Sequence, residues 1–336
     1  MKQKWYIDKY LPHVHVRHRI KKILFRKKTK FQNIQIFDLF DCGKSLVIDG
    51  IPQNAEKDEW IYHECLIHPA LILQPVNKKL EILVLGAGEG ATLRELLKYK
   101  NVKTITAVDI DQEAVEIFKK FFPKIHQDLF NNPKVNLVID SAENFLKNTV
   151  KKYDLIFSDI TDVSFFNLDS KIKKSNSDFY SIGKSKVSEN IQYAEDRFYS
   201  IGNLKTPDNT QYTEGIFYKL IYQKLKKNSL FVMHTCDFSE IDYKKHFQLK
   251  RILSKIFPQV YSYRTYVSFF NDYWGFLIAS PNLKFNPLKI SEKTIKNKIK
   301  QQNLEKKLKY FSPEIYKAIF SLPPFLKKIE SGKYIS

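Results

Sequence analysis

Between residues 80 and 162 short apolar runs alternate with helical segments: LEILVLG, a helix from about Ala91 to Tyr99, TITAVDI, a helix from about Gln112 to Phe122, VNLVID and YDLIFSD. No other feature constrains the fold as much. Runs of Val, Ile and Leu with few polar interruptions are strands covered on both faces, and the intervening helices are the crossovers that parallel strands need. The pattern predicts an α/β fold built on a Rossmann-like, doubly wound sheet.

The flanking segments read differently. Residues 31–53, FQNIQIFDLFDCGKSLVIDGIPQ, are strands broken by turn signals at Asp41–Gly43 and Asp49–Gly50, which predicts a small N-terminal antiparallel β domain over 1–54. From Glu56 to about Leu73 Trp60, Ile61, Cys65, Leu66, Ala70 and Leu71 recur at helical spacing, with Pro69 expected to bend or divide the helix. The Rossmann-like domain is expected over 55–285. Residues 163–211 interrupt it with an insertion rich in Ser, Asn, Lys and Asp, in which FYSIGK (179–184) nearly recurs as FYSIGN (198–203). A loop of that length is a lid or a disordered insertion, and its composition does not choose. Regular structure resumes with a helix near 213–226, the strand SLFVMHT, a helix near 239–256 and strands at 259–267 and 273–280. The segment 286–336, with a basic helical stretch at 290–309, is expected to pack on the Rossmann-like domain.

Composition enters through what it excludes. The 336 residues are 43% hydrophobic and 27% charged, ordinary globular values. No apolar run reaches the ~18 residues of a spanning helix. The first 30 residues lack the apolar core of a signal peptide, which leaves the cytoplasm as the expected location. Cys42, Cys65 and Cys236 form no C-x-x-C pair, so neither a disulfide framework nor a zinc cluster is expected. The net charge of +20 sits at the ends: residues 1–40 carry eleven Lys/Arg against two acids and residues 281–336 thirteen against four, whereas 81–165 has eleven against thirteen. The middle is slightly acidic, which argues against a dedicated nucleic-acid function.

The chemistry lies in that middle. A strand delivers the chain into G-A-G-E-G and a helix follows at once, an arrangement that brings backbone close to a ligand. Glu89 in this turn would repel a pyrophosphate, which speaks against a dinucleotide or P-loop site. Asp109 ends the next strand, where a carboxylate can hold a ribose diol; Asp140 ends the third; FSDITD ends the fourth with Asp159 and Asp162. Taken singly, each acid reads as well as a helix cap or turn residue. Together they read as a nucleoside pocket with several acids converging, and crowded acids call for a cation, a metal or a polyamine. The set lacks an accompanying His/Cys pattern, and His13, His15 and His18 lack a fourth ligand, so no metal is expected.

In order along the chain, DEWIYHECLIHPAL (58–71), GAGEGATLRELLK (86–98), DIDQEAVE (109–116), D-x-x-D (159–162) and the D-x-W-G ending at Trp274–Gly275 resemble segments of the polyamine aminopropyltransferases, the spermidine synthase family, with wording closest to the thermospermine synthase type. The resemblance runs from about Gln32 to FSLPPFLKK. It implies a fold of the class I S-adenosylmethionine-binding type and transfer of an aminopropyl group from decarboxylated S-adenosylmethionine, a co-substrate, to an amine, releasing methylthioadenosine without prosthetic group or metal. A homo-oligomer, dimer or tetramer, is implied as well.

Carried over by position, the resemblance makes Asp159 the proton acceptor and gives Asp162 the amine substrate. It puts Glu89 on the aminopropyl amine, Asp109 on the ribose, Asp140 with Ser141 on the adenine and Gln32 in the methylthioadenosine pocket, with Tyr62 and His63 facing the attacking amine. Without the match Tyr62 reads equally as core and His63 as a satisfied surface histidine. Val163 stands where the family usually has Pro, and a Gln common near the end of a later strand is replaced around His234–Thr235. Both changes surround the amine end implied by the resemblance, so putrescine, spermidine, agmatine and other diamines stay open as acceptors. The rival readings are an S-adenosylmethionine-dependent methyltransferase of the same fold, and an inactive homologue binding polyanions through its basic ends.

Overall fold

The computed structural model describes residues 3–11, 14–160 and 215–332. Among these the chain builds two sheets. The first is an antiparallel meander of β1 (Trp5–Leu11), β2 (Val14–Lys28), β3 (Asn33–Leu39), β4 (Gly43–Ile48) and β5 (Ile51–Ala55), paired in chain order. The first two strands come from the charged, aromatic stretch that the sequence reading placed in the 1–54 β domain without setting strand bounds.

The second sheet has the order β11-β12-β10-β9-β6-β7-β8. It comprises β6 (Leu80–Leu85), β7 (Val102–Asp109), β8 (Val135–Ile139), β9 (Tyr153–Ser158), β10 (Leu225–Asp237), β11 (Gln259–Val267) and β12 (Asp272–Ser280). The pairs β6–β7, β7–β8, β6–β9 and β9–β10 are parallel, and β12 runs antiparallel to both its neighbours. Burial on both faces explains the near-continuous apolar strands: Ile82 and Val84 join one core cluster while Leu83 and Leu85 join another.

Along the chain the helices are α1 (Glu59–Leu73), α2 (Ala91–Leu97), α3 (Gln112–Phe121), α4 (Pro123–His126), α5 (Ala142–Asn148), α6 (Ile216–Gln223), α7 (Lys244–Ser254), α8 (Glu292–Gln301), α9 (Pro313–Ile319) and α10 (Pro324–Glu330). Three local expectations need correction. Helix α1 is not divided at Pro69, and residues 62–72 are all buried; packing on every side holds the turn from which Pro69 removes an N–H. The strand expected at 229–235 extends over Leu225–Asp237. The basic stretch 290–309 is helical only over Glu292–Gln301. Beyond that helix the chain is tied down by Glu64 of α1, whose carboxylate accepts the backbone N–H groups of Lys309, Tyr310 and Phe311 at 2.8–2.9 Å.

Strand β6 lies between β7, which follows it in the chain, and β9, which arrives later. This is the topological switch point, where the loops leaving the two strands part and open a crevice. The glycine turn leaves β6 there, and Asp159 leaves β9. No helix of the described residues is long and apolar enough to cross a membrane.

Candidate active site

The crevice is shaped first by close backbone approach. Gly86 has φ +79°, and a Cβ on it would stand 2.4 Å from the carbonyl oxygen of Asp159. The end of β6 therefore packs directly on the backbone that carries Asp159, which only glycine permits. At Gly88 a Cβ would lie 2.9 Å from Oδ2 of Asp109.

Asp159 is held at both carboxylate oxygens by side-chain hydroxyls. Tyr62 donates its hydroxyl to Oδ1 and Thr92 donates its own to Oδ2, both at 2.6 Å. Tyr62 sits on buried α1 and Thr92 in the first turn of α2, so two helices fix one carboxylate. The Tyr62 ring is packed by His63, His234, Phe270 and Phe276. Core and site readings of Tyr62 thus both apply: the ring packs in the interior while its hydroxyl reaches the acid.

Glu89 reaches the same crevice from the glycine turn. Burial pushes its carboxyl up to about 7, the charge on His63 opposing the shift and that on Asp159 reinforcing it. Asn54 of β5 donates its amide to Oε2, so the N-terminal sheet helps to form the site. His63 is 2% exposed, no surface histidine. Burial alone would favour its neutral ring, but the hydrogen bond to Glu59 and the charges of Glu59, Asp159 and Glu89 raise it to about 9. The converging acids therefore have a cation of their own, beyond any that a ligand brings.

The other predicted residues line the edge formed by β7 and β8. Asp109 folds over the glycine turn: Oδ2 accepts the amides of Ala87 (3.0 Å) and Gly88 (2.7 Å), and Oδ1 that of Asp111 (3.0 Å). Burial raises its carboxyl and these amides oppose the rise. Gln32 donates Nε2 to Asp111 Oδ2 at 3.0 Å, on the neighbouring turn. Asp140 accepts the Ser141 amide (2.8 Å) and the Asn144 side chain, while the Ser141 hydroxyl caps α5. Asp162 and the insertion 163–211 lie outside the described residues.

Several groups escaped the sequence reading. Thr92, Asn54 and Glu59 are ordinary residue types whose direction only the fold reveals. Ile110 (44% exposed) and Ile139 (42%) are large apolar side chains left open next to Asp109 and Asp140; an apolar residue flanking a strand-end acid was the available signal. His234 is stacked on Trp274 and donates Nε2–H to the carbonyl of Ile160 at 3.0 Å, the residue after Asp159. A bulge between His234 and Cys236, with Cys236 at φ 77°, marks this end of β10.

Among the described residues two groups bring three candidate metal-ligand atoms within 4.8 Å of one another: His18, Asp41 and Cys42, and Glu64, His68 and Glu95. Neither includes a crevice acid. The second is already satisfied by Lys98, Arg94 and the amides of residues 309–311.

Comparison with known proteins bears directly on this arrangement. Residues 59–189 match the family described as Spermine/spermidine synthase domain, and residues 4–56 the Spermidine synthase tetramerisation domain. The polyamine aminopropyltransferase of Sulfurisphaera tokodaii is 32% identical over 97% of this chain and 92% of its own. The chain belongs to the polyamine aminopropyltransferases. A second aminopropyltransferase, from Methanocaldococcus jannaschii, is 32% identical over 96% of this chain and 94% of its own. The crystal structure of spermidine synthase from Thermotoga maritima superposes with a TM-score of 0.74 at 26% identity, covering 98% of this chain and 95% of that one. A spermidine synthase in complex with the transition-state analogue AdoDATO gives 0.75 at 25% identity, covering 98% and 96%. As an aminopropyltransferase the protein is a transferase, which sets aside methyl transfer.

Proposed function

We propose that the protein moves an aminopropyl group from decarboxylated S-adenosylmethionine to a di- or polyamine, putrescine or spermidine, with Asp159 as proton acceptor. The observation that carries this reading is the Asp159 carboxylate held by Tyr62 and Thr92 at the switch point, with Glu89 opposite. The amine lone pair attacks the aminopropyl carbon next to the sulfonium; the C–N bond forms, the C–S bond breaks, and its electron pair leaves on sulfur as methylthioadenosine. The proton released from nitrogen passes to Asp159. Because a sulfonium is a good leaving group, alignment and delivery of a neutral amine are the main tasks of the protein.

The remaining residues divide between the two substrates. Glu89 takes the donor's ammonium and disfavours the carboxylate of ordinary S-adenosylmethionine. Asp109 takes the ribose, Asp140 with Ser141 and the exposed Ile110 and Ile139 the adenine, and Gln32 closes the methylthioadenosine side. Tyr62, His63 and Asp162 meet the acceptor, with His234 and Trp274 at the same end. No prosthetic group is needed for these steps. The site operates in a homo-oligomer, dimer or tetramer, in line with the family matched over residues 4–56.

The test is release of methylthioadenosine from decarboxylated S-adenosylmethionine with either amine. Asp159→Asn is expected to lower kcat by at least about 10²–10⁴-fold, the range of a lost acid–base group. A variant as active as the wild type would remove Asp159 from this role.

A further inference from the structure

His63 is held by a network of charged groups for which the transfer reaction supplies no use. Its Nδ1 faces the carbonyl oxygen of Glu59 (2.7 Å) and Glu59 Oε2 (3.0 Å); both only accept, so the hydrogen is on Nδ1 and the ring orientation is set. Glu59 is gripped in turn. Arg94 donates NH1 to Oε1 (2.8 Å) and NH2 to Oε2 (2.9 Å), a bidentate pair, and its Nε is held by Glu95 Oε1 at 2.9 Å. His68 Nε2, at 2.9 Å, and Lys98 hold the other oxygen of Glu95. This network crosses from α2 to α1 and ends on the His63 ring. The charges that reach the ring come from Glu59 on its own helix, Glu89 in the glycine turn and Asp159 after β9, and the Tyr62 ring stands edge-on at 4.9 Å. Arg94 is already matched by Glu59 and Glu95.

We infer that Glu59 is a positioning residue for the transfer: clamped by Arg94, it holds the His63 ring as a fixed cation in the wall of the acceptor pocket, and that charge makes the attacking nitrogen bind as the neutral amine. The difficulty it resolves is physical. A crevice of acids attracts ammonium groups, and an ammonium has no lone pair with which to attack. One fixed imidazolium repels the charged form and leaves the neutral one untouched. Across roughly 7 Å at an effective dielectric near 20 a lone unit charge is worth between one and two pK units, but the Glu59 carboxylate 3.0 Å from the ring offsets most of it, leaving about half a pK unit and about a threefold larger neutral fraction. The inference rests on the aminopropyl-transfer reading above.

Glu59→Gln keeps the shape and removes the charge. In that variant kcat at pH 7.5 should fall about threefold while the acceptor KM stays level or drops, and kcat should recover as pH rises toward the amine's own pKa. Glu59→Asp, which keeps the charge, should restore most of the rate. By NMR the His63 ring should be protonated at pH 7.5 in the wild type and titrate lower in Glu59→Gln. A parallel loss in kcat and kcat/KM at every pH, or a His63 titration that Glu59→Gln leaves in place, would overturn the inference. If Glu59→Gln fails to fold, a neutral His63 in the wild-type protein at pH 7.5 overturns it equally. A wild type that forms no aminopropyl product contradicts the reaction itself, and the His63 titration still reads the clamp separately.

Discussion

Glu89 is a carboxyl whose function requires ionisation and whose surroundings resist it. With its pKa raised by burial to about 7, the anion that would hold the donor's ammonium is populated above that pH and lost as pH falls through it. The donor kcat/KM should therefore fall on the acid side with an apparent pKa near 7, toward tenfold per pH unit. Glu89→Gln should lower donor kcat/KM and remove that limb; a Gln variant with the wild-type profile would exclude Glu89 from donor binding. The strand-end acids were legible in the sequence because a parallel sheet delivers the C-terminal ends of its strands to one edge, so their order alone placed Glu89, Asp109, Asp140 and Asp159 together. Thr92, Asn54 and the Glu59–Arg94 clamp were not. Their roles depend on the direction of a side chain between elements distant in sequence, and a threonine or asparagine carries no periodic signal.

At the scale of elements, the site depends on how tightly β6 and β9 end against each other. A methyl group at Gly86 would meet the Asp159 backbone and force a left-handed conformation on alanine, so Gly86→Ala should cost about 2 kcal/mol or more and displace Asp159. Thermal unfolding and turnover should both suffer; a variant with unchanged Tm and unchanged kcat would refute this packing. Helix α1 is anchored elsewhere by Glu64, a fully buried carboxylate that accepts three amides from the C-terminal segment. Glu64→Ala would leave those donors unpaired, at a cost of about 3 kcal/mol or more, and denaturant unfolding should register it as a lower midpoint. An unchanged midpoint would mean that water takes over these amides at no cost. Pro69 illustrates why element boundaries were less legible than element order: its effect on a helix depends on the packing around it, and α1 is enclosed on all sides. The bounds of β1 and β2 within the expected β domain were hidden for the opposite reason, since exposed strands rich in Lys and Arg lack the apolar run that marks a buried one.

For the whole molecule, the order of the apolar runs made the fold class legible, and five motifs in sequence made the family so. The acceptor was not legible, because the residues that depart from the family pattern, Val163 and the region around His234, are those the resemblance assigns to the amine end. The charge of +20 concentrates in the terminal segments rather than in the crevice. Sedimentation or light scattering should find a dimer or tetramer, and a monomer at working concentration would contradict the proposed assembly. The central claim is the reaction, and mass spectrometry of the products tests it most directly. Purified protein would be given decarboxylated or ordinary S-adenosylmethionine with a panel of putrescine, spermidine and other diamines. The account predicts methylthioadenosine and an amine heavier by one aminopropyl unit from the decarboxylated donor alone, lost in Asp159→Asn. S-adenosylhomocysteine with a methylated product, or no consumption of either donor with any amine, would contradict it.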